Sequence, residues 1–83
     1  MQDQGEIEEA RRLYSESLDI NRKLGNQSGI ATSLHQLGRV IEAEGNKVEA
    51  ARLFQEALNI FERLGSPYAK IASRNLERVR SRS

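Results

Sequence analysis

The chain has no cysteine and no tryptophan, and only one histidine and one proline among its 83 residues. Without cysteine there is no disulfide framework and no thiolate to serve as nucleophile or metal ligand. A single histidine does not supply the ligand sets from which zinc sites are built. His35 is also the one natural general base near neutral pH, and it has no partner at catalytic spacing. There is no glycine-rich phosphate loop, no nucleophile elbow and no paired metal-ligand spacing. The expectation is a protein without catalysis, metal or cofactor. No apolar run approaches the roughly eighteen residues that a membrane helix needs. The opening Met1-Gln2-Asp3-Gln4-Gly5-Glu6 is polar and acidic, unlike a signal peptide. A soluble, cytoplasmic protein without membrane contact is therefore expected.

Charged residues make up 30% of the chain, yet the apolar ones are regularly spaced, which argues against disorder. The length allows one domain with a modest core. The charge is unevenly placed: residues 66–83 carry Lys70, Arg74, Arg78, Arg80 and Arg82 against Glu77 alone, while the preceding residues are net acidic.

The dominant positive feature is internal repetition. Residues 5–25 read GEIEEARRLYSESLDINRKLG and residues 45–65 read GNKVEAARLFQEALNIFERLG, an offset of 40 throughout. Ala10/Ala50, Leu13/Leu53, Leu18/Leu58, Ile20/Ile60 and Leu24/Leu64 are identical pairs, and Tyr14/Phe54 exchanges one ring for another. A fixed period of this size marks a solenoid, in which each unit buries its face only against a neighbour.

Gly5, Gly25, Gly45 and Gly65 divide the chain, and each segment between them has apolar residues at steps of three and four. Four helices are predicted, over 6–24, 27–44, 48–64 and 67–80, with no strand. Glycine ends a helix cheaply by turning left-handed. Asn46 with Glu49, and Asp3 with Glu6, read as capping-box starts. Ser66 followed by Pro67 reads as a cap residue and a first helical position. Connections this short make neighbouring helices antiparallel. The predicted core is Leu13, Tyr14, Leu18, Leu34, Leu37, Ile41, Leu53, Phe54, Ala57, Leu58 and Leu76.

These residues resemble the tetratricopeptide repeat, whose unit is two antiparallel helices, A and B. Leu34, Leu37, Gly38 and Ile41 match helix A; Gly45 matches the turn; Ala50, Phe54 and Ala57 match helix B. The earlier copy matches from the turn onward, through Gly5, Ala10, Tyr14 and Ser17. The 40-residue period exceeds the usual one of about 34, and Leu24-Gly25 and Leu64-Gly65 stand where a proline is usual. Both features resemble a long-helix subclass. The resemblance implies a single all-α domain, an antiparallel helix-turn-helix solenoid forming a superhelix. Residues 5–25 are then a half repeat (helix B only), 27–65 a full repeat, 66–81 a C-terminal capping helix and 82–83 a tail. Such a chain reads as a fragment of a longer or engineered array.

The resemblance also implies function: a non-catalytic scaffold that binds a peptide or partner helix on the concave face of its A helices. Carried over residue by residue, that face is Thr32, His35, Gln36, Arg39 and Glu42, continued by Ile71, Arg74, Asn75 and Arg78. Arginines flanked by amides suit an acidic peptide, because guanidinium binds carboxylate through two parallel hydrogen bonds. The alternative is self-association. Ala10, Tyr14 and Ser17 sit where helix B should pack on a preceding A helix, and a homo-oligomer would cover them. Nucleic-acid binding by the basic C-terminal helix ranks third: that end has few charges and no aromatic for base stacking.

Overall fold

The structure is a computed structural model and describes residues 4–81. Asp3 and the tail residues, Arg82 among them, lie outside the described residues. Four helices follow one another: α1 (Gln4–Leu24), α2 (Gln27–Ala43), α3 (Lys47–Leu64) and α4 (Tyr68–Ser81), with no strand among the described residues. Each packs on the next, α1 on α2, α2 on α3 and α3 on α4. None is long and apolar enough to cross a membrane.

The turns repeat as the sequence does. Gly25 and Gly65 take left-handed φ values of 70° and 67°. Behind them Asn26 N–H bonds to Asn21 C=O at 2.9 Å and Ser66 N–H to Phe61 C=O at 2.9 Å. Asn46 N–H reaches Ile41 C=O in the same way at 3.2 Å. The orphaned carbonyls at the ends of α1, α2 and α3 are thus closed by one device used three times. Asn26 and Asn46 then cap the following helices, accepting from Gly29 N–H and Glu49 N–H at 3.1 Å each. The capping box at Asn46 is only half formed, since the Glu49 carboxylate turns to Arg52 instead. One further expectation is corrected: Gly5 lies inside α1 rather than in a turn before it. Ser66 Oγ accepts from Tyr68 N–H at 3.2 Å, the cap expected of it, and α4 begins at Tyr68, directly after Pro67.

The core runs through all four helices: Leu18 from α1; Ile30, Ala31, Leu34 and Leu37 from α2; Ala50, Leu53, Phe54, Ala57, Leu58 and Phe61 from α3; Ala72, Leu76 and Val79 from α4. Tyr14 and Ile41 pack against it half-buried. Leu13, expected in the core, is instead 50% exposed, whereas its repeat counterpart Leu53 is 6% exposed. The reason is position. α3 has a helix on each side, α2 and α4, while α1 packs on α2. Two close approaches hold the layers together. A Cβ on Gly38 would lie 2.7 Å from the Phe54 ring, and one on Gly29 would lie 2.3 Å from Asn21 Oδ1. Small residues at these points let the helix axes come together. Ser17 and Ser33 share a hydroxyl hydrogen bond of 3.1 Å across the α1–α2 contact.

α2 and α4 occupy equivalent places but differ in one respect. α2 buries residues toward both neighbours, including Ser33 and Leu37 on one side and Gly38 on the other. α4 buries only Ala72, Leu76 and Val79. Lys70 and Glu77, which take the places of Ala31 and Gly38, are exposed. α4 thus has one buried face and one polar, exposed face.

Candidate functional site

A groove of about 360 Å³ lies where α2, the end of α3 and the start of α4 converge. It is lined by Thr32, His35, Gln36, Arg39, Phe61, Tyr68 and Ile71. Five of these come from the face expected from sequence. Phe61 and Tyr68 do not: Phe61 reaches in from the last turns of α3, and Tyr68 follows the turn at Pro67. Their rings meet at 5.8 Å with planes at 45°. The groove therefore has an aromatic and aliphatic wall, with Tyr68 58% and Ile71 46% exposed, opposite a polar wall from α2.

The other expected residues are brought together differently. Asn75, Arg78 and Glu42 form a tie between α4 and α2. Arg78 Nη1 donates to Asn75 Oδ1 at 2.8 Å, and Arg78 Nε donates to Glu42 Oε2 at 3.3 Å, with a second guanidinium nitrogen on Glu42 Oε1. Arg78 is thus committed to a carboxylate of its own chain and is not a free cation. Asn75 Nδ2 stands 2.7 Å from His35 Nε2. Guanidinium only donates, so the amide oxygen must face Arg78 and the amide nitrogen must face His35. His35 Nε2 is then an acceptor, and its ring proton sits on Nδ1. Arg74 lies outside this network, exposed beside Glu77 and Arg78 on the outer side of α4. The expected strip of three arginines is therefore divided. Arg39 belongs to the groove and Arg78 to the tie, while Arg74 lines a separate surface hollow beside Arg78.

Electrostatics follow from this placement. His35 is half-buried, with its ring 5.4 Å from that of Phe54. Burial lowers its pKa below the ordinary 6.5, and the nearby Arg39 charge lowers it further. Protonation would set an imidazolium N–H against the Asn75 amide donor. A base that is harder to protonate when folded gives stability that is complete above its unfolded pKa and declines as pH falls through it. The thermal midpoint should therefore drop on going from pH 7.5 to pH 5.5. His35→Gln should flatten that step; an unchanged step would show that the carboxylates, not His35, cause it.

Arg39 makes no hydrogen bond or ion pair with any described residue. It is exposed and stands at the polar lip of the groove. A second hollow, of about 320 Å³, opens between α1 and α2 on the other side of Arg39. It is lined by Ile7, Ala10 and Tyr14 of α1 and by Gln36, Val40 and Ala43 of α2, among others. Ala10, Tyr14 and Ser17, expected to be uncovered, are each half-buried, while their α3 counterparts Ala50, Phe54 and Ala57 are 0% exposed.

A family model described as tetratricopeptide repeat matches residues 1–63, which takes in α1, α2 and nearly all of α3. No curated protein and no solved structure matches the chain.

Proposed function

The chain belongs to the tetratricopeptide repeat family, whose members typically serve as non-catalytic interaction modules, and we propose that it binds an acidic peptide segment in the α2–α4 groove. The observation that supports this reading is Arg39, an exposed guanidinium that pairs with no described residue and stands beside an aromatic wall. A carboxylate of the ligand pairs with Arg39, and the preceding apolar side chain lies on Tyr68 and Ile71. Thr32 and Gln36 offer hydrogen bonds to the peptide backbone from α2. Glu42 and Arg78 neutralise each other and set the edge of the groove, so the acidic selectivity rests on Arg39.

The test is fluorescence anisotropy with two labelled probe peptides of equal length, one alternating leucine with aspartate and one alternating leucine with lysine. The acidic probe should bind and the basic one should not. A hydrogen bond to a charged group is worth about 1.5–3 kcal/mol, so Arg39→Gln should weaken the acidic probe roughly tenfold or more. Equal binding of both probes, or an Arg39→Gln variant that binds like the parent, would end this reading.

A second reading is self-association, and one observation favours it. Ala10, Leu13, Tyr14 and Ser17 of α1 are exposed or half-buried, whereas their α3 counterparts Ala50, Leu53, Phe54 and Ala57 are buried, although the two helices share their sequence pattern.

A further inference from the structure

The outward face of α1 has its own period. Glu6, Ala10, Leu13, Ser17, Ile20 and Leu24 recur at steps of four, three, four, three and four, the spacing of a seam between two helices. Leu13, Ile20 and Leu24 are 50%, 57% and 74% exposed, while the α3 counterparts of Ala10, Leu13 and Ser17 are buried at 0%, 6% and 0%. Ser17 is the polar group in the middle of this stripe, and its hydroxyl is already bonded to Ser33. Covering the stripe therefore strands no hydroxyl.

We infer that this stripe pairs with the same stripe of a second copy of the chain, antiparallel, about a two-fold axis beside α1. The inference rests on the self-association reading and adds its face and register. The stripe alternates small and large side chains, and antiparallel pairing sets each against its complement. Leu13 meets the partner's Ser17, Ala10 meets the partner's Ile20, and Leu24 lies along the aliphatic stem of the partner's Glu6. The flanking charges complement as well. Glu9, Glu16 and Lys23 follow one another every seven residues along one side of the stripe. Antiparallel pairing sets Glu9, which also pairs with Arg12 of its own chain, against the partner's Lys23 twice, and Lys23 has no ion pair with any described residue. Glu16 meets the partner's Glu16 at the axis, the one unfavourable contact. Symmetric pairing uses the same α1 face on both copies.

The full chain should show twice its 9.4 kDa mass by light scattering at high concentration and return to the single-chain mass on dilution. One helix per copy covers less than the roughly 800 Å² per partner of a standard interface, so the series must reach hundreds of micromolar. Leu13→Glu with Ile20→Glu should hold the single-chain mass throughout while keeping the parent's helical signal, since both side chains are already half exposed or more. Glu16→Gln should tighten the dimer several-fold by removing the like-charge contact. Register is read by cross-linking, which the absence of native cysteine makes clean. Ala10→Cys mixed with Ile20→Cys should form a disulfide in air, while neither should do so alone, because like positions lie about 15 Å apart along the seam. A parent that stays monomeric at every concentration ends self-association altogether. A dimer that survives Leu13→Glu with Ile20→Glu, or cross-links from either cysteine variant alone, ends this face or register and leaves self-association standing.

Discussion

Phe54→Ala should destabilise the domain by about 3–5 kcal/mol, the usual loss for a buried aromatic. Phe54 is 0% exposed and is one of the two largest side chains fully enclosed. It sits against Gly38 of α2 and stacks at a tilt on His35, so its removal opens a void between α2 and α3 that no neighbour can fill. Small domains hold about 5–15 kcal/mol in all, and one of this length belongs near the low end. The variant should therefore show a large unfolded fraction at 37 °C by circular dichroism, and a urea midpoint well below that of the parent. Tyr14→Ala is the internal control. Tyr14 holds the same register in α1 but is half-buried, so its loss should cost clearly less. Equal losses at both positions would mean that the two repeat copies are packed alike, contrary to the burial difference on which the α1 inference depends.

That comparison also shows why the sequence was legible where it was. Periodicity and glycine spacing placed all four helices within a residue or two, because each local signal is repeated and each agrees with its neighbours. Phe54, Ala57 and Leu37 read correctly as core because their small-and-large pattern has meaning only between two packed helices. Leu13 read incorrectly for the opposite reason. Its sequence environment matches that of Leu53, but burial is set by the neighbour, and α1 lacks the second one that α3 has. Identical local sequence cannot report a difference in what lies alongside. The groove divided along the same line. Thr32, His35, Gln36 and Arg39 share one helix face and were legible together. Phe61 and Tyr68 enter from two other elements, and only the tertiary turn at Gly65–Pro67 brings their rings to that wall. The fate of Arg78 was likewise hidden, since its pairing with Glu42 spans 36 residues. Side-chain ties between sequential A-type helices depend on the superhelical offset, which the repeat period alone does not fix.

Gly38→Leu should be the second most damaging single change, and its mechanism is the reverse of the first. A Cβ there already falls 2.7 Å and 2.9 Å from two Phe54 ring carbons, and a leucine adds three more heavy atoms in the same direction. Leucine is the better helix former by somewhat under 1 kcal/mol. Overpacking costs about 1–3 kcal/mol and at times more. The ring is fully enclosed and has nowhere to turn, so the cost should fall at the upper end and exceed the gain by about 2 kcal/mol. α2 must lift away from α3, and His35 and Glu42 move with it, so the tie to Asn75 and Arg78 should break as well. Two comparisons separate this mechanism from a general intolerance of change in the A-type helices. Glu77→Leu, at the matching place on α4, should be nearly neutral, because no helix packs there and Glu77 is exposed. The double variant Gly38→Leu with Phe54→Ala should be more stable than the sum of its parts by about 0.5–3 kcal/mol, because the leucine enters the space that the ring has left. Strict additivity in urea melts would mean that Gly38 and Phe54 do not share that space, and the close approach of α2 to α3 would then need another cause.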